Sequence, residues 1–339
     1  MATDKVSKNR SKKVITLVVA IVIAILSYLG VDFSGILDTG PTTPETPAIV
    51  TDVEGTIQVH FIDVGNADST LVVQDGEAIL IDAGTKGRGD DVVEYIKSLG
   101  ITKLKAFILT HPHDDHMGGA SYVLDNIEIE IVYGPDIFEI KDIQTKEWYE
   151  MMMDSIERID AERNEGVPED EWTSIWHFPR TPGDNDFVSF KVGQATVQFV
   201  APNSDEYSDK NDYSIVSKIT FGTTDVLVMG DATKLAEKEI LEAGWEIQSE
   251  VLRAGHHGSD TSTGRDFISE VDPDYVIVSC GLNNKYDHPT EEFVSLIEEL
   301  KLPLYRTDEN GTIIMTSDGE NIEFDKSPGS YENGEEKGE

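Results

Sequence analysis

The sequence predicts an α/β fold, sheet covered by helices, behind an N-terminal transmembrane helix. Three observations predict it. Short apolar runs recur from Ile57 onward with turn residues between them, and several are followed at once by helical spacing. Alternation of that kind requires helices on both sides of a sheet, because each apolar face must be covered. Residues 14–31, VITLVVAIVIAILSYLGV, form an unbroken run of 18 residues without a charge.

The uncharged run follows Lys5, Lys8, Arg10, Lys12 and Lys13. At ~1.5 Å rise per residue it covers roughly 27 Å, close to the ~30 Å hydrocarbon layer of a bilayer. Residues 14–31 therefore read as a membrane anchor, with 1–13 a cytoplasmic basic segment, since basic flanks stay inside. The remainder is expected outside the cytoplasm, on a single-pass protein of the cell membrane. A cleaved signal and secretion form the alternative, although the run is long for a signal and no clear A-x-A site follows it. Residues 32–54, with GPTTPETP at 40–47, read as an extended Pro/Thr-rich linker.

From residue 57 the elements follow in order. Apolar stretches at 57–64, 69–74 and 78–81 predict a strand meander ending at Asp82-Ala83-Gly84. Val92, Val93 and Ile96 share one face of a helix at 91–99, which Gly100 stops. Residues 104–109 are a buried strand. The stretch 136–186 breaks the rhythm, being rich in acids, Met and Trp (Trp148, Met151, Met152, Met153, Trp172, Trp176). It reads as a helical insertion, either a packing cap or a lid that shapes substrate entry. Strands follow at 195–200, 215–221, 226–229, 250–253 and 275–278, with helices at 235–242, 265–271 and 290–299. All of 55–325 is taken as one domain, and 326–339 as a solvated acidic tail.

Composition narrows the chemistry. With 27 Lys and Arg against 65 Asp and Glu, the 339-residue chain carries −38, which excludes a basic nucleic-acid-coating protein. The first 13 residues contribute +4, so the rest carries −42. Such a surface suits high salt, or an uncharged or cationic substrate. Cys280 stands alone, so intrachain disulfides and Cys-rich zinc sites are excluded. Any metal must be held by imidazoles and carboxylates.

Those groups cluster at strand ends. After strand 104–109 comes His111-Pro112-His113-Asp114-Asp115-His116-Met117-Gly118-Gly119. Two imidazoles two apart, then a carboxylate and a third imidazole, cannot all face one point from a strand or a helix. On a tight strand-to-helix turn they can serve two adjacent points, as a two-metal site requires. Gly118 and Gly119 let the chain turn beneath it. Strand 226–229 ends at Gly230-Asp231-Ala232, and strand 250–253 leads to Gly255-His256-His257-Gly258-Ser259. Each alone would read as a cap or turn. Strands ending side by side, however, are expected to carry Asp231 and His257 to the same sheet edge as the histidine turn, where three of the chain's eight histidines already lie.

The motifs HPHDDH, GDA and HHGS resemble those of the metallo-β-lactamase superfamily. The longer set FIDVG, LIDAG, LTHPHDDHMGG, NDYSIV, VLVMGDA, LRAGHHGSDTS, DPDYVIVSCGLNNKYDHP and LYRTDENGTI, over about residues 57–318, resembles the hydrolase domain of ComEC-type DNA-uptake proteins. The resemblance implies a four-layer αβ/βα sandwich with a dinuclear site at one edge. It places His111 and His113 on one divalent ion, Asp115, His116 and His257 on the other, and Asp231 between them, with Asp82 orienting the ligand loop. Asn211 stands where many relatives carry a further histidine, and the family's VGQGD appears as Val64-Gly65-Asn66-Ala67-Asp68. His256 and His288 are left to contact a phosphate or protonate a leaving oxygen, so Asp115, Asp231, His256 and His288 form the expected catalytic group. Ser259 is expected to cap the following helix or to bond a phosphate.

His and carboxylate ligands suit zinc and leave manganese open. Paired cations that activate a shared water suit hydrolysis of a phosphodiester. The resemblance suggests DNA as the substrate, one strand being cut outside the membrane. The −42 charge opposes that contact, screened over ~8 Å, unless a local basic groove offsets it. Arg253, Arg265, Lys285 and Arg306 are the candidates for one. Three readings result: a membrane-anchored extracellular phosphodiesterase or nuclease, an envelope esterase acting on a small phosphorylcholine-like group, and a non-catalytic binding module in which Asn211 marks decay. The sequence is silent on oligomeric state.

Overall fold

A computed structural model describes residues 55–137, 140, 142–180 and 188–334. The anchor and linker expected at 14–54 lie outside them. Among the described residues no helix is long and apolar enough to cross a membrane.

The first half runs β1 (Ile57–Phe61), β2 (Thr70–Gln74), β3 (Glu77–Ile81), α1 (Gly89–Ser98), β4 (Lys103–Leu104), β5 (Ala106–Ile108), α2 (Asp114–Met117), α3 (Ala120–Asn126), β6 (Glu128–Ile129), β7 (Val132–Tyr133), α4 (Glu147–Arg163) and β8 (Trp176–His177). The second half runs β9 (Ser189–Val192), β10 (Ala195–Phe199), β11 (Ser217–Phe221), β12 (Thr224–Val228), α5 (Lys234–Ala243), β13 (Val251–Arg253), α6 (Arg265–Val271), β14 (Tyr275–Val278), α7 (Glu291–Leu300), β15 (Leu304–Arg306), α8 (Thr307–Asn310), β16 (Ile313–Ser317) and β17 (Ile322–Phe324). Among the described residues these make an eight-stranded sheet, β17-β16-β1-β2-β3-β5-β7-β8, a seven-stranded sheet, β15-β14-β13-β12-β11-β10-β9, and the side pair β4-β6.

Strand alternation explains why the sheets stack. Ile79 and Ile81 of β3 enter one core with Val226 and Val228 of β12, while Leu227 and Met229 point the other way into a second core with Ala236 and Ile240 of α5. A strand buried on both faces needs a near-continuous apolar run, which is how these segments read. Each fully buried Ile, Leu or Phe contributes about 1.5–3 kcal/mol. Helices α6 and α7 add Phe267, Ile268, Phe293 and Ile297 to the second core. On the outer side of the first sheet, Tyr95 of α1 bonds His60 of β1 at 2.7 Å, between the inward-facing Val59 and Phe61. The layers are therefore helix, sheet, sheet, helix.

Three segments differ from their expected form. The strand read at 104–109 divides at Lys105, whose side chain pairs with Glu77 at 2.6 Å. Within 136–186, α4 buries Trp148, Met152 and Ile156 and packs on α2 and α3, and β8 extends the first sheet. The described part of the tail, although still partly exposed, is held to the domain. Gly329 N–H donates to Leu304 O at 2.7 Å, the Tyr331 hydroxyl to Leu302 O at 2.8 Å, and Gly334 N–H to Pro289 O at 2.8 Å. Arg306, 2% exposed, also donates to the Glu332 carbonyl. Main-chain bonding to the domain outweighs the acidic composition.

Candidate metal centre

Both sheets place loops at the carboxyl ends of parallel strands. Asp82 follows β3 and the His111–His116 turn follows β5, in the first sheet; Asp231 follows β12 and His257 follows β13, in the second. The expectation that all share one sheet edge is corrected. Two edges, one per sheet, meet across the sandwich, and crevices at such carboxyl ends are where open α/β folds hold ligands.

His111 Nε2 lies 3.0 Å from His113 Nδ1 and 3.6 Å from Asp231 Oδ2. His116 Nε2 is 3.2 Å from Asp231 Oδ1, and His257 Nε2 is 3.8 Å from Asp231 Oδ2. Two donor groups result, His111–His113–Asp231 and Asp68–His116–Asp231–His257, each with its ligand atoms within 4.8 Å of one another. Asp231 belongs to both. His116 Nε2, His257 Nε2, Asp231 Oδ1 and Asp68 Oδ2 are buried without a hydrogen-bond partner. One unsatisfied buried polar atom costs about 1–3 kcal/mol, so four gathered together call for a cation. The residues present fit a pair of divalent ions.

Neighbouring atoms aim these ligands. Asp82 accepts from the Thr110 N–H at 2.8 Å, the Thr110 hydroxyl at 2.7 Å and His116 Nδ1 at 2.7 Å. His257 Nδ1 donates to the Ser279 carbonyl at 2.9 Å. With Nδ1 protonated in both rings, each Nε2 can present a lone pair to a metal. Asp82, His256 and His257 adopt φ of 60°, 50° and 54°, a region that costs a non-glycine residue about 1 kcal/mol or more and is found at functional sites. Gly118 and Gly119 have ordinary helical φ of −59° and −83°. They are needed for close approach instead: a Cβ on Gly119 would lie 2.2 Å from the Ala83 carbonyl. That contact seats the histidine turn on the Asp82 loop.

Asp68, to which the sequence motifs assign no role, lies inside the second donor group. Its only signal was the VGNAD turn. Its other oxygen pairs with Arg253, which is fully buried and donates to Gly230 O at 2.6 Å. Asp115 sits higher, 29% exposed, 3.4 Å from His257 Nε2. His256 Nε2 is 3.7 Å from Asp231 Oδ2, and the His256 and His288 rings lie nearly perpendicular with centroids 5.3 Å apart. Asn211 is buried with Oδ1 unbonded, on the turn leading to Ser214, whose hydroxyl accepts the Asp231 N–H at 3.0 Å. Ser259 does not cap α6: its hydroxyl accepts the Thr261 N–H at 3.2 Å, and Gly264 precedes α6. The basic groove is also corrected. Arg253 and Arg306 are buried against Asp68 and Asp308, and Arg265 pairs with Glu299. Lys285 alone of the four lines the cleft.

Burial raises the Asp231 carboxyl, yet His116, His257 and His111 outweigh it and hold Asp231 well below the usual carboxylate range. Burial lowers His116, but Asp231 and Asp82 overcome it and keep the ring well above its ordinary value. His257 is raised against burial by Asp231 and Asp115. Burial also pushes Asp115 upward, but His257 and His116 beside it bring it below its ordinary value by their charge. Burial lowers His111, His113 and His256 and raises Asp68. Protons on His116 and His257 thus stand where cations belong, and metal binding releases them. The cleft above holds about 550 Å³ and is walled by Asn66, Thr85, Asp114, Asn284, Lys285, Tyr286 and His288. Burial, then the charges of His257 and His256, lower His288 to about 4, so it is uncharged at neutral pH.

Residues 62–281 match the model of the metallo-beta-lactamase superfamily, and the chain belongs to that superfamily. It is 29% identical over 276 residues to ComE operon protein 3 of Bacillus subtilis, covering 76% of this chain and 32% of that one. It is 27% identical over 271 residues to competence protein ComA of Neisseria gonorrhoeae, covering 79% and 33%. Recombination protein 2 of Haemophilus influenzae is 28% identical over 270 residues, covering 76% and 28%. The chain spans about a third of the length of these curated relatives. The fold, the family and the likeness to ComEC-type competence proteins agree with the sequence reading.

Proposed function

We propose that the chain is a metal-dependent phosphodiesterase that cuts single-stranded DNA outside the cell, anchored in the membrane through residues 14–31. The observation that carries this reading is Asp231, shared by two donor groups whose inward atoms lack other partners. The relatives' names, competence and recombination proteins, support DNA as the substrate. Two divalent ions, zinc or manganese, supply charge at the attacking and leaving oxygens of a phosphodiester when bound.

The chain's own groups do the rest. His111 and His113 would hold one ion, and His116 and His257, locked by Asp82 and Ser279, would hold the other with Asp68 or Asp115. Asp231 would serve both. His288, uncharged at neutral pH, and His256 beside it would donate ring N–H hydrogen bonds to the phosphate oxygens, the leaving oxygen taking its proton from water.

The test loads the full chain, in detergent, with Zn²⁺ or Mn²⁺ and offers single-stranded DNA, duplex DNA, RNA and small phosphodiesters beside an Asp231→Asn variant. Cleavage of the single strand, lost on chelation and lowered at least about 100-fold by the substitution, is the expected result. Equal rates for the two proteins remove the catalytic assignment, and fewer than one ion per chain marks a binding module. The net charge of −38 favours a second reading, a small zwitterionic phosphoester of the phosphorylcholine kind. Turnover of small esters with DNA untouched would establish it.

A further inference from the structure

The loop between β14 and α7 closes one wall of the cleft, and its geometry goes beyond holding His288 in place. Asn284 ties it together: Nδ2 donates to Gly281 O at 2.8 Å and to the His288 carbonyl, and Oδ1 accepts the N–H of Tyr286 at 3.2 Å and of His288 at 3.0 Å. Tyr286 is thereby held in position although 54% exposed. Its ring stacks on His288 at 5.6 Å and 26°, and His288 stacks on His257 at 6.2 Å and 28°. A row of three nearly parallel rings therefore runs from the cleft mouth to a candidate metal ligand. A single exposed tyrosine is ordinary; one fixed at the end of such a row, over the cleft, is not. Beside it, Lys285 Nζ lies 4.6 Å from the Tyr286 ring centroid. Lys285 forms no ion pair among the described residues, although the chain holds 65 acids against 27 bases.

We infer that Tyr286 is a stacking platform for the nucleobase flanking the scissile phosphate of a single-stranded polynucleotide, with Lys285 meeting an adjacent phosphate. The inference rests on the phosphodiesterase reading and specifies the form of its substrate. An aromatic face accepts any base, because every base presents a π-face. A duplex keeps its bases stacked inside, out of reach of a wall side chain, so the platform selects strands whose bases are free. Lys285 is exposed on a flexible stem. It can leave the ring for a phosphate as a base takes its place, and it provides the positive charge that the arginines, bound to carboxylates, do not.

The experiment separates binding from cleavage. A short labelled single strand and an abasic strand of equal length are titrated with the full chain in chelator, and binding is followed by fluorescence anisotropy. The wild-type chain is expected to bind the base-bearing strand roughly tenfold or more tightly than the abasic one. Tyr286→Ala should bind the two alike, and Tyr286→Trp should restore the preference. In metal-loaded kinetics Tyr286→Ala should raise KM for the base-bearing strand by a similar factor, with kcat much less affected. Lys285→Ala should weaken both strands and flatten the salt dependence. No base preference in the wild type, or an undiminished preference in Tyr286→Ala, overturns the inference. So does competition by phosphorylcholine that Tyr286→Ala abolishes, which would assign the ring to a cationic headgroup. A chain that prefers bases yet cleaves no diester keeps the platform and sinks the catalytic reading; one that cleaves both strands alike does the reverse.

Discussion

Replacing Asp82 by asparagine tests whether the metal site depends on the tautomer of one histidine. Asp82 is 1% exposed and accepts three hydrogen bonds, two from Thr110 and one from His116 Nδ1. An amide of the same shape keeps one acceptor oxygen. If that oxygen stays on the Thr110 N–H, the new NH₂ faces the Thr110 hydroxyl, which can rotate to accept, and His116 Nδ1, which must then give up its proton. The proton left on His116 is then the one on Nε2, which points at Asp231, 3.2 Å away, where the ion should sit. Charge-assisted bonds are worth about 1.5–3 kcal/mol against about 0.5–1.5 kcal/mol for neutral ones. Asparagine is neutral, so all three bonds lose their charge assistance, which should cost the metal-free protein about 3–4 kcal/mol. Loss of an orienting carboxylate lowers metal affinity about 10- to 100-fold. Urea denaturation of the metal-free chain measures the first quantity and chelator competition for Zn²⁺ the second. Wild-type Zn²⁺ affinity in Asp82→Asn would refute the argument that Asp82 sets the ligating nitrogen of His116.

Two further outcomes follow from buried charges. Arg253→Met leaves the Asp68 carboxylate buried without its guanidinium, and breaking such a pair costs about 3–5 kcal/mol; a loss under about 1 kcal/mol in urea denaturation would show the pair to be dispensable. Burial raises Glu237 from 4.5 to about 7, against hydrogen bonds from the Gly264 and Thr263 N–H groups. A carboxyl raised in the folded state contributes stability below its ordinary value and loses it as pH climbs through about 7. Wild type should therefore lose about 2–4 kcal/mol relative to Glu237→Gln between pH 5 and pH 8. A difference between the two proteins that is constant over that range would exclude Glu237 as the titrating group.

Much of the local structure was legible because its causes are local. Helix α6, Arg265–Val271, and strand β14, Tyr275–Val278, coincide with their sequence expectations, since an apolar period bounded by Gly or Asp is written within a few residues. The His111–His116 turn stood out for the same reason. Asp68 did not, because its importance comes from Arg253, 185 residues away. Arg253 itself read as a surface cation, and its burial follows from where β13 lies in the sheet. Strand β16 pairs with β1 in antiparallel register, Phe61 opposite Ile313, a closure that short-range pattern cannot announce.

By itself the sequence determined the α/β alternation, the family motifs and the residue types available to bind metal, all properties of short segments. Only the tertiary structure decided that Asp231 and His257 arrive from the opposite sheet, that Asp68 joins them, and that three of the four expected groove cations are bound to carboxylates. Those outcomes depend on which strand ends face each other across the sandwich, and that is settled by packing two apolar sheet faces together rather than by any one stretch of chain.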